Sequence, residues 1–406
     1  MVLVLGEVTL SEENPMKPLR SVLLATPLAL LVACGGESST GSPFTDAAPD
    51  YSALSIDQYS SDGSTSSVQA AEIAAVAAAL TASGDPQCHP HLFLRTREVV
   101  GRINLHVYKA LRHVEALLVR KPVDATDTTR VWDRIDGGVE RKFTIALVSP
   151  QVYSWELAVG PAGADPLPVV MTGQVDRSGA TGPFQGKGSF HVDFAKLHAA
   201  YPLTERASQG ILDVTFDSQA VSRALTVVAT DVAWDPSADA LDTTAAKAAL
   251  SVPRSGSYVY LREYGKGGSL KIHDQMVFEC PANPEELLGE VQLVSRWYVA
   301  SAGVVHGRSD ALLTGGQLTA DVPKVVGVTC HEGSADGLAD AESFWLMKAE
   351  KVDGSTSVGW STQASDGNTP CDAAFGSVPT LDGSADDFTA WPTSYGDGTP
   401  FPFPGM

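Results

Sequence analysis

Cationic side chains are scarce in this chain of 406 residues, which has 28 Lys and Arg against 48 Asp and Glu. The formal net charge is −20 at pH 7. Proteins bind DNA and RNA largely by neutralising phosphates with Lys and Arg, so this surface repels both polymers. Nucleic acid is therefore excluded as a partner. With 44% hydrophobic residues, the chain can nevertheless bury a large core.

The sequence signatures of the common catalytic and metal sites are also missing. No Gly-x-Ser-x-Gly motif, which marks the nucleophile of many serine hydrolases, occurs in the chain. No two cysteines stand at Cys-x-x-Cys spacing, and no His-Glu-x-x-His motif accompanies the nine histidines. The glycine-rich stretch GPFQGKGSF leads into a strand-like run, whereas a phosphate-binding loop leads into a helix. No catalytic residue, metal or cofactor is predicted.

The third absence concerns membrane spans, because a transmembrane helix needs about 20 apolar residues. The uncharged run near the N-terminus covers only the 13 residues from Ser21 to Ala33 and follows the basic residues Lys17 and Arg20. A basic head, a short apolar run and a small-residue end form a secretory signal peptide. Residues 1–33 are therefore predicted to be a signal peptide, with residues 1–15 as a mis-annotated extension.

The predicted signal peptide ends in the sequence Leu31-Val32-Ala33-Cys34, which is followed by Gly35. This ending resembles the lipobox of bacterial lipoprotein precursors, in which the cysteine thiol receives a diacylglyceryl group before cleavage. The resemblance implies that Cys34 is lipidated and that the membrane is a partner, since two or three acyl chains form a stable anchor. Gly35 stands where an Asp would retain the protein on the inner membrane, which implies delivery to the outer membrane of a bacterial cell envelope.

The four other cysteines, Cys88, Cys280, Cys330 and Cys371, are an even number in a chain that is predicted to be exported. An even number favours two disulfides, and four cysteines allow three pairings. We expect a Cys330–Cys371 disulfide, which would close a segment rich in Gly and Asp. The pair Cys88–Cys280 then follows by elimination.

Composition divides the chain from Cys34 onward into four parts. Low hydrophobicity and a high content of Ser, Gly, Asp and Pro mark flexible or disordered segments. The parts are a lipidated flexible tether (34–66), a helical segment (67–121), a β-rich domain (122–377) and a disordered, acidic, Pro-rich tail (378–406).

Two helices are predicted in the helical segment. The first begins near Val68, in a stretch of strong helix propensity. The second carries apolar residues at steps of three and four, which make one continuous stripe, and it ends before Pro122. This stripe includes Phe93, Val100, Ile103, Val107, Ala110, Leu111, Val114 and Leu118.

From Arg130 onward the hydrophobic period changes to two. In VERKFTIALVS, for example, Val139, Phe143 and Ile145 alternate with polar residues. About a dozen such runs follow, separated by Gly, Pro, Asp and Asn, without the helices that a parallel sheet needs between its strands. The predicted fold class is mainly β (α+β): an antiparallel meander, a curled sheet or barrel-like, preceded by the two N-terminal helices.

Four residues are candidates for ligand binding. Tyr258, Tyr260 and Arg262 alternate in YVYLREY and are expected on one face of a strand, where aromatic and Arg side chains suit a ligand-facing wall. The alternative is ordinary cross-strand packing. Asp274 shares a face with apolar residues in SLKIHDQMVFEC, and a carboxylate on such a face should be paired or lie beside a cavity.

These features predict a membrane-anchored envelope lipoprotein that acts as a noncatalytic binding or scaffold module. The expected partner, besides the membrane, is a lipophilic ligand or another envelope protein. The alternative is an envelope hydrolase whose carboxylates, such as Asp274 and Glu263, meet only in the folded chain. A deep pocket with two carboxylates would favour the hydrolase, and a filled interior would argue against it.

Overall fold

The described part of the chain covers most of the predicted β-rich domain and short stretches before it. The structure is a computed structural model that describes residues 42–56, 92–93, 96, 100, 104, 111, 114–200, 207–234, 252–280, 283–301, 304–315, 318, 323–334, 341–350, 352–353 and 362–364. The predicted signal peptide, Cys34, Cys88, the first predicted helix, Cys371 and the predicted C-terminal tail lie outside the described residues.

Fifteen strands form one antiparallel sheet in these residues, and their order in space is their order in the chain. The prediction of a mainly β fold built as an antiparallel meander is therefore confirmed. The strands are β1 (Asp124–Ala125), β2 (Thr129–Asp136), β3 (Val139–Ser149), β4 (Val152–Pro161), β5 (Val169–Asp176), β6 (Gly186–Asp193), β7 (Ala207–Ser218), β8 (Ser222–Trp234), β9 (Arg254–Glu263), β10 (Gly267–Cys280), β11 (Asn283–Ser301), β12 (Val304–Thr314), β13 (Lys324–Ser334), β14 (Ala341–Glu350) and β15 (Thr362–Ala364).

The sheet is open in the part of the chain that the structure describes. Each strand pairs with its neighbours in the chain, and β1 and β15 are the two ends of the order. The barrel-like alternative is therefore not supported, because a closed sheet requires its first and last strands to pair.

Turn chemistry explains how neighbouring strands connect. Asp136 of β2 pairs with Val139 of β3, so Gly137 and Gly138 form a two-residue hairpin loop. Their φ values are +58° and +81°, in the left-handed region that a type I′ turn requires at both central positions. Glycine adopts such φ values without a steric penalty, and the turn matches the twist of the two strands.

One face of the sheet, called here the inner face, carries a row of large aromatic side chains. Trp132, Phe143, Trp155 and Phe190 follow one another across β2, β3, β4 and β6, with ring centroids 6.1, 6.1 and 5.9 Å apart. All four belong to the main core cluster. Such aromatic pairs stabilise a fold by about 0.5–1.5 kcal/mol each, in addition to the area they bury.

Gly173 of β5 makes room for this row, and we expect Gly173→Ala to destabilise the protein by about 1–3 kcal/mol through overpacking. A Cβ atom at this position would lie 2.6 Å from Cε2 of Trp155 and 2.8 Å from the backbone oxygen of Ser189. The midpoint of urea unfolding measures the effect. The control is Gly179→Ala, because a Cβ there meets nothing within 4 Å. Equal midpoints for the two variants would contradict the prediction.

Residues 42–56 pack in the core, which corrects the prediction of a flexible tether for this stretch. Phe44, Leu54 and Ile56 are 6%, 1% and 2% exposed. The ring of Phe44 also meets the ring of Tyr153 edge to face, with centroids 5.4 Å apart. The prediction was wrong because polar composition dominated it, whereas a few apolar side chains suffice to bury a short segment when a sheet offers them a surface.

The apolar side chains among the helical residues described between 92 and 118 also belong to this core. These residues, called here the inner helical residues, are 92, 93, 96, 100, 104, 111 and 114–118. Asn104 links them to the preceding segment, because its Oδ1 accepts a hydrogen bond from the Ile56 backbone N–H (2.7 Å). Its Nδ2 donates to the Ile56 carbonyl (2.6 Å). Both residues are buried, so this pair of hydrogen bonds is shielded from water.

The prediction of two N-terminal helices is not supported as a whole, since the described residues include only parts of the second. Two short helices were not predicted, α1 (Tyr51–Leu54) and α2 (Phe194–Ala200). Asp193 caps α2 by accepting a hydrogen bond from the Lys196 backbone N–H (3.0 Å). Burial raises the pKa of Asp193, but its hydrogen bonds with Lys196 outweigh this effect and leave the pKa below its usual value.

None of the helices in the described residues is both long and apolar enough to cross a membrane.

Candidate functional site

The outer face of the sheet, opposite the inner face, differs between the two halves of the molecule. Over β3–β7 most of this face is exposed and polar, as in many antiparallel sheets. It carries Lys142, Glu156, Thr172, Gln174, Lys187 and Asp213. Over β9–β13 the middle of the same face is buried, whereas Ser255, Glu290 and Lys324 nearer the strand ends are exposed. Its buried residues include Val259, Leu261, Val294, Leu312 and Cys330.

These five buried residues form a second buried layer, called here the outer layer. None of them belongs to the main core cluster, which joins the inner face, residues 42–56 and the inner helical residues. Leu92 contacts Thr329 and Phe93 contacts His331, and both of these sheet residues lie on the inner face. The outer layer is therefore separate from the main core cluster.

A cluster of charged side chains is buried within the outer layer. Arg296, Arg308 and Asp310 are 8%, 5% and 2% exposed. Nε of Arg308 donates to both carboxylate oxygens of Asp310 (3.1 and 3.0 Å), and its Nη2 donates to Oδ1 (2.9 Å). Nη2 of Arg296 lies 3.6 Å from Oδ2 of Asp310. Two cations therefore share this anion, and all three side chains take part in further interactions.

Burial and the carboxylate of Asp310 act in opposite directions on the pKa of Arg296 in this cluster. Burial lowers the pKa of Arg296, because the guanidinium loses its hydration, and the cation of Arg308 lowers it further. Asp310 acts in the opposite direction, yet the pKa stays below its usual value.

Cys330 lies in the same row of the outer layer. Its Cα partner across the ladder is Arg308, its side chain is 1% exposed, and it is disulfide-bonded. The side chains of the other cysteines lie outside the described residues. The predicted pairs Cys330–Cys371 and Cys88–Cys280 therefore stay predictions.

The predicted ligand wall lies in the core. Tyr258, Tyr260 and Arg262 share the inner face, where Tyr260 is 0% exposed and its ring stacks on Trp297 with centroids 6.4 Å apart. Tyr258 is partly buried, and this burial raises the pKa of its phenol. This arrangement agrees with the alternative of cross-strand packing, and a role in ligand binding stays a prediction.

Arg262 is part of a second buried arginine pair that the sequence did not indicate. It lies opposite Arg223 of β8, and the guanidinium carbons of Arg223 and Arg262 are 6.0 and 5.3 Å from the ring centroid of Tyr264. Nη1 of Arg223 donates to the backbone oxygen of Ser55 (2.8 Å). This hydrogen bond joins residues 42–56 to the sheet. Its role is therefore to stabilise the fold.

The carboxylates suggested for a hydrolase do not meet. Glu263 lies opposite Gly267 on the outer face and forms an ion pair with Lys266. Asp274 is seven residues farther along β10 (267 to 274), which is about 23 Å at 3.3 Å per residue. Asp274 lies on the inner face of β10, whereas Glu263 lies on the outer face of β9. The two carboxylates therefore point to opposite faces of the sheet.

One His–Asp pair occurs on the exposed outer face. Nδ1 of His191 lies 2.8 Å from Oδ1 of Asp213, and Thr172 is the Cα partner of His191 on the other side. The histidine and aspartate side chains are 43% and 58% exposed. Solvent screens such an exposed pair, so it has the character of a surface ion pair.

No group of three or more His, Cys, Asp and Glu side chains suited to a metal ion occurs within the described part. No protein-family model, no curated protein and no solved structure matches this chain.

Proposed function

We propose that this chain is a lipoprotein of the bacterial cell envelope, anchored through lipidated Cys34, that acts as a noncatalytic binding or scaffold module for another envelope protein. The lipobox-like sequence at residues 31–34 supports the anchor, and Gly35 supports delivery to the outer membrane. Two predicted disulfides agree with an exported chain.

The observation that carries the scaffold role is the filled inner face. Apolar side chains of residues 42–56 and of the inner helical residues belong to the same core cluster as the inner-face side chains of the sheet. The chain itself therefore occupies the face that a lipophilic ligand would need. The exposed outer face of β3–β7 offers a broad polar surface instead, which suits contact with a protein. The separation of Glu263 and Asp274 supports the noncatalytic reading over the hydrolase.

The anchor is tested by Cys34→Ala in cells that grow with radiolabelled palmitate. We expect the unmodified chain to carry label and to fractionate with membranes, and the variant to lose both properties, because the thiol is the attachment point. Cys88→Ala is the matched control, since it removes a cysteine but leaves the lipobox intact. Labelled Cys34→Ala protein, or an unlabelled parent chain, would contradict the anchor.

The scaffold role is tested by photo-crosslinking in intact cells. A photo-reactive residue at Gln174 or Glu156, on the exposed outer face, is expected to give one and the same protein adduct. The control places the probe at Ser178, an exposed turn position beside the face. Equal adducts at all three positions would contradict a specific surface. Native mass spectrometry is expected to show no bound lipophile, and a stoichiometric lipid would instead favour the ligand-carrier alternative.

A further inference from the structure

We infer that one end of the sheet, called here the near end, faces the lipid surface to which the chain is anchored. Connections after alternate strands of an antiparallel meander lie at the same end of the sheet. The near end is formed in this way by the loops 126–128, 150–151, 177–185 and 219–221. The inference rests on the proposed lipid anchor at Cys34 and adds the orientation in which that anchor holds the sheet.

Phe44 docks at the near end. Its ring lies 4.4 Å from the guanidinium carbon of Arg130 and meets the ring of Tyr153 edge to face, with centroids 5.4 Å apart. Arg130 and Tyr153 are the second residues of β2 and β4, and both strands begin at the near end. Because Phe44 is 6% exposed and belongs to the main core cluster, this contact is part of the fold.

The loop 177–185 holds the same segment by polar contacts. Nη1 of Arg177 donates to the backbone oxygen of Pro43 (3.5 Å) and lies 3.6 Å from Oδ2 of Asp46. The backbone oxygen of Asp46 accepts a hydrogen bond from the Phe184 N–H (3.1 Å). From Pro43 onward the chain is therefore fixed to the near end.

Covalent geometry limits how far Cys34 can lie from this contact. It precedes Ser42, the first residue that the structure describes, by eight positions, which span at most about 29 Å whatever path the chain takes. The strand β4 extends for about 30 Å from the near end to the far end, where the loop 162–168 lies. Even a straight path along the strands would not carry Cys34 past the far end. The far end therefore cannot rest on the membrane.

Desolvation favours the near end over the outer face as the side that meets the lipid head groups. The outer face of β3–β7 exposes charged side chains such as Lys142 and Glu156, and these would lose hydration against lipid. Asp127 and Arg177 are the only charged residues in the four loops of the near end. Facing the membrane with this end also leaves the outer face accessible to the proposed protein partner.

Energy transfer from the protein to the lipid surface tests the orientation. The full lipidated chain is reconstituted into vesicles of phosphatidylethanolamine and phosphatidylglycerol that carry an acceptor dye on their head groups. A fluorescent amino acid replaces Ser149, beside the near end, or Ala162, at the far end, and both positions are exposed. The dyes are chosen so that their transfer distance is close to the length of β4. Because about 30 Å separates the two positions, we expect transfer from Ser149 to exceed transfer from Ala162 at least about twofold.

Equal transfer from the two positions, or greater transfer from Ala162, would overturn the inference. Vesicle flotation and the mass of the N-terminal peptide separate this result from a failure of the anchor. A chain that carries no acyl group and does not float contradicts the proposed anchor together with the orientation. An acylated chain that floats and gives equal transfer overturns the orientation alone.

A longer connection tests whether the short distance from Cys34 to the docked segment sets the orientation. A spacer of about 20 Gly and Ser residues between Gly36 and Glu37 has an r.m.s. span of about 25 Å, so we expect transfer from Ser149 to fall at least about twofold. The same spacer added after Met406 is the matched control and is expected to leave transfer unchanged. Unchanged transfer with the N-terminal spacer would overturn the role of the short connection.

Discussion

Asp310→Ala is expected to lower the free energy of unfolding by about 3–5 kcal/mol, which is the usual cost of breaking a buried ion pair. Asp310 is 2% exposed and accepts three hydrogen bonds from Arg308. Its removal leaves the guanidinium groups of Arg308 and Arg296 in the outer layer without this shared anion. Urea unfolding of the chain without its lipid anchor measures the change.

Asp213→Ala is the matched control for this prediction. Asp213 also pairs with a basic side chain across a strand, but the aspartate is 58% exposed. Solvent screens such a pair, so the expected cost is at most about 1 kcal/mol. If Asp310→Ala costs no more than Asp213→Ala, the cluster does not carry the electrostatic role that its burial indicates.

Asn104→Leu is the second substitution with a large expected effect, about 2–6 kcal/mol. The amide of Asn104 satisfies both the N–H and the C=O of Ile56, and leucine has nearly the same shape without either polar group. Two buried backbone groups would lose their partners, at about 1–3 kcal/mol each. The measurement is again the free energy of unfolding.

Gln174→Leu is the control for the Asn104 substitution. It replaces an amide by the same apolar side chain at an exposed position of the outer face, where a change within about 0.5 kcal/mol is expected. A similar loss in both variants would show that the added leucine, rather than the missing hydrogen bonds, causes the effect.

The strands of the first half were predictable because their alternation is clean. In β3, Phe143 and Ile145 face the core while Lys142 faces water, so a period of two is visible in the sequence. The two-glycine turn before β3 added an independent signal. Pairing between sequence neighbours then followed from short connections, which leave no room for crossovers.

The outer layer was not predictable in the same way. Strands such as β11 and β12 carry apolar residues on both faces, for example Val294 and Leu312 outside and Leu293 inside. Such mixed runs show that both faces are covered, but they do not identify the cover. The charged cluster was missed for a related reason, since Arg296 and Asp310 resemble ordinary outward-facing residues until the register brings them together.

The N-terminal stretch shows the limit of composition as a guide. Ser, Asp and Gly dominate residues 34–66, and the predicted tether ignored the isolated apolar positions Phe44, Leu54 and Ile56. Tertiary contacts determine whether such a segment is ordered, because burying even a few apolar side chains against an apolar surface of the sheet is favourable. The Arg223–Ser55 hydrogen bond is a contact of this kind, and its two residues are 168 positions apart in the chain.

The strict neighbour-to-neighbour order of the sheet has a consequence for folding kinetics. Each hairpin closes a small loop and can form independently of distant parts of the chain. This favours rapid folding of the sheet from several nuclei. The Leu92–Thr329 and Ser55–Arg223 contacts join residues that are 237 and 168 positions apart in the chain. These long-range dockings carry the greatest entropic cost of closure, and they are expected to limit the overall rate.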